Sequence, residues 1–243
     1  DILAAPTAAT LGFRVNALAD ISSAPATTAP FPVRLGDHPL WPPNTFISTT
    51  PGGRVIPDNS TAGLQDTITI PATTNLIGAL RVGIRVDHAG VGDLDIYLVP
   101  PGVAWAGPFT TVNNGVNVTP PAGVIELSTD NGGAGDNFGS GSPTFTYTVF
   151  SSNNDRRFSP GATLITGGTA PYTAASGYRP EGLLAFEQRY GTSPAGNWTL
   201  VIADDNGTQT GRLLSWFIQY VPAERVVVSS TPTPGFASFG NVL

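Results

Sequence analysis

Residues 82–101, VGIRVDHAGVGDLDIYLVPP, constrain the fold of this chain more than any other stretch. Apolar and polar side chains alternate on both sides of the glycine-bearing break at residues 89–92, and a period of two is typical of a strand with one buried face. The second run has two faces, one with Leu94, Ile96 and Leu98 and the other with Asp93, Asp95 and Tyr97. The stretch therefore predicts a hairpin or corner between two half-buried strands.

The same pattern recurs along the chain in short runs of Val, Ile, Thr, Tyr and Phe. The 243 residues include 29 glycines and 23 prolines, which interrupt helices, so only residues 180–190 are expected to hold a helical turn or two. Trp198 and Trp216 lie in apolar runs and are predicted core residues. The fold class predicted is all-β, a two-sheet jelly-roll sandwich of about eight strands.

The two ends of the chain differ from its middle. Residues 1–54 and 223–243 are rich in Pro, Ala, Thr and Ser, and we predict that they form extended arms on a sandwich of residues 55–222. Residues 11–18 alternate well enough to form one strand within the N-terminal arm. Such a strand needs a partner for its main-chain groups, either on its own sandwich or on another subunit.

A series of short motifs runs through the middle of the chain. In order they are IPD (56–58), VDH (86–88), GDLDI (92–96), LVPPG (98–102), the Gly-rich residues 130–138, APY (170–172), YRPEGLLAF (178–186), GNWTL (196–200) and GRLLSW (211–216). In type and order they resemble the P domain, or P/Homo B domain, which follows the subtilisin-like catalytic domain in proprotein convertases and many bacterial secreted proteases. The resemblance covers about residues 55–222. It implies an eight-stranded jelly roll that is not catalytic and often binds calcium.

Acidic and amide residues beside the glycine-rich turns are the candidate metal ligands. Calcium takes six to eight oxygens from Asp, Asn and backbone carbonyls, and glycine lets the supplying loops curl tightly. Residues 130–137, DNGGAGDN, have this composition, and two carboxylates of the second strand could complete a shell across the sheet edge. The predicted calcium ligands are Asp93, Asp95, Asp130, Asp136 and Asn137. The alternative, an ordinary solvated Gly-Asn turn, stays open on the sequence alone.

Catalytic patterns are scarce in this sequence. It contains two histidines, His38 and His88, and no nucleophile elbow, HExxH helix or phosphate-binding loop. His88 falls in the Asp-His corner of the P-domain resemblance, which implies that it holds its turn by hydrogen bonds. A pair of carboxylates of the glycosidase type stays open, although nothing favours it. We predict that the chain is not an enzyme and has no catalytic residue.

Charge and cysteine content exclude further classes. The net charge is −6 and all eleven basic residues are arginines, so no continuous basic surface for nucleic acid is expected. No apolar run is long enough to span a membrane. The chain has no cysteine, hence no disulfide, and it begins at Asp1 without methionine. These features favour a processed, secreted, extracellular or cell-surface protein.

Two functions from different classes fit these observations. The first is a self-assembling extracellular subunit of a filament or tube, a homo-oligomer joined by strand exchange through the arms. The alternative is an accessory or stabilising module, or a processed fragment, of a secreted subtilisin-like protease. A carbohydrate-binding or adhesive sandwich is a weaker third hypothesis, because the sequence identifies no exposed row of aromatic side chains.

Overall fold

The computed structural model describes residues 43–105, 122–140, 145–152, 162–182, 185–207 and 209–223, and the backbone at 31–32 and 225–226. The described residues contain twelve strands: β1 Phe31–Pro32, β2 Asn44–Ile56, β3 Ser60–Ile70, β4 Ile77–His88, β5 Leu94–Val99, β6 Ile125–Thr129, β7 Thr148–Ser151, β8 Thr163–Leu164, β9 Tyr178–Arg179, β10 Gly196–Asp204, β11 Gly211–Pro222 and β12 Arg225–Val226. Single 3-10 turns occur at Val91–Asp93, Ile165–Gly167 and Glu187–Arg189. No helix in this part of the chain is long and apolar enough to cross a membrane.

Ten of these strands form the two sheets of a sandwich. One sheet has four strands in the order β3-β10-β5-β6, and the other has six in the order β2-β11-β4-β7-β9-β8. The long pairs are antiparallel, and only the short strand β9 pairs in parallel, with β7 and β8. The predicted all-β sandwich is confirmed. The sandwich has ten strands where about eight were predicted, and the two extra ones are the short strands β8 and β9, with two residues each.

The core lies between the two sheets and is built by the alternation seen in the sequence. Leu94, Ile96 and Leu98 of β5 point into it, as do Trp198 of β10 and Trp216 of β11, and all five are buried. Trp198 donates its indole N–H to the carbonyl oxygen of Pro194 at 2.8 Å, so its polar atom is satisfied. The prediction that both tryptophans are core residues is confirmed.

The sequence predicts that β5 is half-buried, but its second face is buried as well. Tyr97 and Asp95 are also buried, because a second apolar cluster covers the outside of the four-stranded sheet. In this cluster the ring of Trp105 packs on Tyr97 with 5.8 Å between ring centroids. Alternation alone shows which residues share a face but not that a later segment covers it. Strand β5 is thus buried on both faces.

The six-stranded sheet begins in residues that the sequence prediction divided between an arm and the sandwich. Strand β2 spans both sides of residue 54 and pairs with β11 along most of its length, Phe46 opposite Ile218 for example. The chain contains a compact unit of residues 32–225 and a second unit of residues 1–31 and 226–243, of which only the backbone of Phe31 and Val226 is described. The predicted strand at residues 11–18 lies outside the described residues. The boundaries at residues 54 and 222 stay predictions.

Candidate functional site

The predicted corner between β4 and β5 is a tight turn clamped by the glycine-rich loop. The 3-10 turn Val91–Asp93 joins the strands, and the N–H groups of Val91 and Gly92 donate to the carbonyl oxygens of Gly135 and Gly133 at 2.9 and 3.0 Å. A Cβ atom at residue 92 would lie 2.7 Å from Cα of Gly133, so the two backbones approach this closely only because residue 92 is glycine. The loop and the turn are therefore one packed unit.

Asn137 holds the end of β4 rather than projecting toward the acidic residues. Its Oδ1 accepts a hydrogen bond from the N–H of His88, and its own N–H donates to the carbonyl oxygen of His88, both at 2.9 Å. The backbone of Asn137 has a φ of 67°, a left-handed conformation that asparagine tolerates better than most residues. The amide oxygen proposed as a calcium ligand is thus engaged with the backbone of the sandwich.

His88 and Asp204 form a buried pair that connects the two sheets. His88 ends β4 in the six-stranded sheet and Asp204 ends β10 in the four-stranded sheet, and both side chains are fully buried. Nδ1 of His88 accepts from the N–H of Gly90 at 3.2 Å, so the ring proton is assigned to Nε2, which donates to Oδ2 of Asp204 at 3.1 Å. The pKa of Asp204 is raised, because burial outweighs the hydrogen bonds from His88 and Asn206, which lower it.

This geometry determines what His88 can do chemically. Each ring nitrogen already has a partner within the protein, and the ring is inaccessible to a substrate. A general base in a Ser-His-Asp site needs one ring nitrogen directed at the nucleophile. His88 is the single histidine among the described residues, since His38 lies outside them. The prediction that His88 holds its turn by hydrogen bonds is confirmed.

Several carboxylates lie at the end of the four-stranded sheet next to the His88–Asp204 pair. Strand β5 begins at this end, and β6 and β10 finish there. Oδ1 of Asp93 accepts from Nδ2 of Asn206 at 3.2 Å, and the carbonyl oxygen of Asp93 accepts from the N–H of Asp205 at 3.1 Å. The pKa of Asp130 is raised, first by partial burial and then by the charges of Asp205, Glu181 and Asp93. We call Asp93, Asp130, Glu181 and Asp205 the acidic end.

The second carboxylate of β5 lies farther into the same sheet. Asp95 is buried between Ala203 of β10 and Thr129 of β6 in the strand register. Next to it, the pKa of Tyr97 is raised, first by burial and then by the charges of Asp95 and other carboxylates. The pKa of Glu126, which stands opposite Tyr97, is also raised by burial and by the charge of Glu181. Acidic side chains therefore extend from the acidic end into the sheet as far as Asp95 and Glu126.

The five predicted calcium ligands thus belong to two places. Asp93, Asp95 and Asp130 lie toward the acidic end, and Asp93 and Asp130 are close enough for their charges to interact. Asp136 and Asn137 instead line an open cleft of about 510 Å³ with Asp87 and Arg212. Among the described residues, no group of three or more His, Cys, Asp or Glu side chains could hold a metal ion. The ligand set stays a prediction.

Sequence reasoning missed Asp66, a buried carboxylate on β3. It accepts hydrogen bonds from the indole N–H of Trp216 at 3.0 Å and from the hydroxyl of Ser48 at 2.7 Å, and it forms an ion pair with Arg54 at 2.9 Å. These partners come from the other sheet, so Asp66 connects the two layers on the side opposite β6. The sequence did contain a signal that Asp66 is buried, because it lies two residues before the buried Ile68 on the same face of an alternating strand.

Replacing Asp130 with asparagine is expected to raise the free energy of unfolding at pH 7 by about 1 kcal/mol or less, or about 2–4 °C in Tm. Because the pKa of Asp130 is raised in the folded state, folding favours the protonated form, and ionisation at pH 7 opposes folding. Asparagine removes the charge and tolerates the φ of 51° at this position.

Thermal melts of wild type and variant at pH 7 and at about pH 3, both in EGTA, measure this effect. The stabilisation should largely vanish at the lower pH, where the wild-type carboxyl is mostly protonated in both states. Asp87→Asn is the control, since Asp87 is exposed and is not among the charges that raise the pKa of Asp130 or of Asp204. A variant less stable than wild type at pH 7 would contradict the electrostatic account.

Comparisons with known proteins give two similar structures. A chain in the complex of the Aeromonas sobria serine protease with its chaperone is 18% identical, with a TM-score of 0.39, and the match covers 75% of this chain and 26% of that chain. A structure of the serine protease of Aeromonas sobria is 16% identical, with a TM-score of 0.37 and the same coverage. The chain thus spans about a quarter of the length of these structures. No family model and no curated protein matches it.

Proposed function

We propose that the sandwich is a non-catalytic accessory module of the P-domain type. Its role is to serve a secreted serine protease outside the cell, either by stabilising the protease or by binding a ligand on its behalf. The single observation that carries this proposal is the His88–Asp204 pair. It lies where the sequence carries the Val-Asp-His motif of the resemblance, and it is buried, with both ring nitrogens bonded inside the protein.

The chemistry of the pair supports a structural role over a catalytic one. A carboxylate that accepts from a histidine ring is also the arrangement found in hydrolase triads, so the pair alone is ambiguous. What distinguishes it here is that the other ring nitrogen accepts from the N–H of Gly90. A nucleophilic serine would have to occupy that position. The motif thus closes a corner of the fold, and any chemistry would belong to the protease it serves.

Labelling with a fluorophosphonate probe for serine hydrolases tests the proposal. The full chain is expected to remain unlabelled, as is the variant His88→Ala, while a secreted serine protease treated in parallel is labelled. Labelling of wild type that is lost in a His88→Ala variant shown by its melt to be folded would contradict the proposal, because it would show that His88 activates a serine.

Calcium binding stays part of this proposal, with amide and backbone carbonyl oxygens required beside the carboxylates, since no three described His, Cys, Asp or Glu side chains could hold the ion. The charges at the acidic end raise the pKa of Asp130, and a bound cation would relieve their repulsion. A ligand at 100 times its Kd adds about 2.7 kcal/mol to the stability. We therefore expect melts of wild type in calcium and in EGTA to differ by several degrees, and Asp130→Asn to reduce the difference. Superimposable wild-type melts would contradict calcium binding.

Self-assembly through the arms is the competing hypothesis. Strand β2 forms one edge of its sheet and β3 one edge of the other, and edge strands are the usual sites for adding a strand from a second chain. The predicted strand at residues 11–18 lies outside the described residues, and of the tail from Arg225 the structure describes only the backbone of Arg225 and Val226. The mass of the full chain in solution separates the two hypotheses.

A further inference from the structure

The outer face of the six-stranded sheet carries an apolar strip that the accessory role does not explain. Along β11, Trp216 points into the core, so Phe217 points outward, where it stands opposite Ile47 of β2 and Gly83 of β4. A Cβ atom at residue 83 would lie 2.1 Å from the ring of Phe217. The glycine therefore lets this ring lie flat on the sheet and form the floor of the strip.

Two more aromatic side chains extend the strip away from the sheet surface. The ring of Tyr147 meets Phe217 edge to face, with 4.9 Å between centroids, and its hydroxyl lies 3.0 Å from Oγ of Ser215. Phe145 is 64% exposed, and the guanidinium of Arg85 connects it to Tyr147 by lying near both rings. A flat apolar face can stack on such an exposed ring.

Arginines flank these rings. The guanidinium carbon of Arg85 lies 4.6 Å from the centroid of Phe145 and 5.8 Å from that of Tyr147, and that of Arg81 lies 5.9 Å from Phe217. Cation–π contacts of this kind hold a guanidinium in place without neutralising it. Nε of Arg85 is buried and has no hydrogen-bond partner among the described residues, so a ligand would meet the terminal nitrogens of this guanidinium. We call Arg81, Arg85, Phe145, Tyr147 and Phe217 the arginine–aromatic face.

The strip is bordered on both sides by polar side chains that can donate hydrogen bonds. On one side, Nε2 of Gln219 donates to Oγ1 of Thr45 at 2.6 Å, and Nε of Arg81 donates to Oε1 of Gln219. On the other side, Ser215 stands opposite Thr49 and Arg85 in the register. The outward positions of β2 from 45 to 49, β4 from 81 to 85 and β11 from 215 to 219 carry no carboxylate. The face is thus cationic on a chain of net charge −6.

The position of the face on a sheet restricts its ligand. The central strand β11 pairs with β2 on one side and β4 on the other, so its main-chain groups are used in the ladder. An extended peptide is usually recognised by main-chain bonds at a sheet edge, whereas the five residues of this face lie on the interior strands β4 and β11 and at positions 145 and 147, not on the edge strand β2. A sugar chain needs no such bonds, because its rings stack on aromatic side chains and its hydroxyl groups bond to side-chain donors.

We propose that the arginine–aromatic face binds an acidic polysaccharide, one whose sugar rings carry carboxylates. The sugar rings stack on the exposed Phe145, and the carboxylates pair with Arg85, whose guanidinium suits bidentate recognition of that group. Complementary charge and the donor rows select an acidic sugar chain over a neutral one. The site goes beyond the accessory role, since it gives the module its own attachment to an extracellular matrix or cell surface.

Affinity electrophoresis of the full chain through gels containing polygalacturonate, neutral dextran or poly-glutamate tests this site. Polygalacturonate is expected to retard wild type, less so as salt is added, because the carboxylate contacts are screened. Phe145→Ala and Arg85→Gln are each expected to weaken the retardation by about tenfold or more in Kd. Arg212→Ala, an exposed arginine at the far end of β11, is the matched control and should bind like wild type.

Three results would overturn the proposal. The first is no retardation of wild type by polygalacturonate at low salt, and the second is equal retardation of Phe145→Ala or Arg85→Gln, with melts showing that both variants are folded. The third is equal or stronger retardation by poly-glutamate or dextran, which would indicate an acidic peptide or a neutral glycan instead.

Discussion

Replacing Trp216 with alanine is expected to lower the free energy of unfolding by about 3–5 kcal/mol. The side chain is fully buried at the centre of the six-stranded sheet, so its removal leaves a cavity among well-packed neighbours. Its indole N–H also donates to Oδ2 of Asp66 at 3.0 Å, and the variant leaves that buried carboxylate with one donor fewer. Urea denaturation followed by circular dichroism measures the change.

Phenylalanine at the same position separates the two contributions. Trp216→Phe keeps most of the volume but loses the donor to Asp66, whereas Trp198→Phe loses a donor to the neutral carbonyl oxygen of Pro194. Hydrogen bonds to charged groups are worth more than those between neutral groups, so Trp216→Phe should cost more than Trp198→Phe. A Trp216→Ala variant as stable as wild type would contradict the burial of Trp216 between the two sheets.

Replacing Asp204 with asparagine is expected to cost about 1–3 kcal/mol although the two side chains have the same shape. One oxygen of Asp204 accepts from Nε2 of His88 and the other from the N–H of Asn206. An amide offers one acceptor and one donor, so in either orientation its NH₂ group faces a donor. Shifting the ring proton of His88 to Nδ1 gives no relief, because that nitrogen faces the N–H of Gly90.

The neighbouring carboxylate provides the matched control. Asp205→Asn makes the same chemical change one residue away, where the charge adds to the repulsion on Asp130, so it should be neutral or slightly stabilising. His88→Ala removes the donor to the buried carboxylate of Asp204 and leaves a cavity, so it should cost about 2–5 kcal/mol. If Asp204→Asn unfolds at the same urea concentration as wild type, the assigned hydrogen-bond network is wrong.

Much of the sandwich follows from the sequence because a strand with one buried face records that face in its alternation. The residues of β5 that face the core and the two tryptophans could be predicted from local pattern, and the structural role of His88 from the resemblance to the P domain. Strand β2 could not, because its run of Thr, Pro and Gly contains few apolar residues and is ordered by pairing with β11. Coverage of β5 by Trp105 was also hidden, since it depends on a contact between segments distant in sequence.

The candidate site was less predictable than the fold. Composition placed Asp93 and Asp130 near one another, and their charges do interact. It also grouped Asn137 with them, whereas the side chain of Asn137 bonds to the backbone of His88. Composition shows which loops are rich in oxygen ligands, but the direction of each side chain depends on how the loop packs against its neighbours.

Sedimentation velocity of the full chain at high concentration, with calcium present, tests the accessory-module account most directly. The account predicts a single species with the mass of one chain, 25.1 kDa, because the sandwich closes its own core and needs no strand from a second copy. An open series of larger species, dispersed when residues 1–30 are deleted, would contradict it and establish self-assembly through the arms instead.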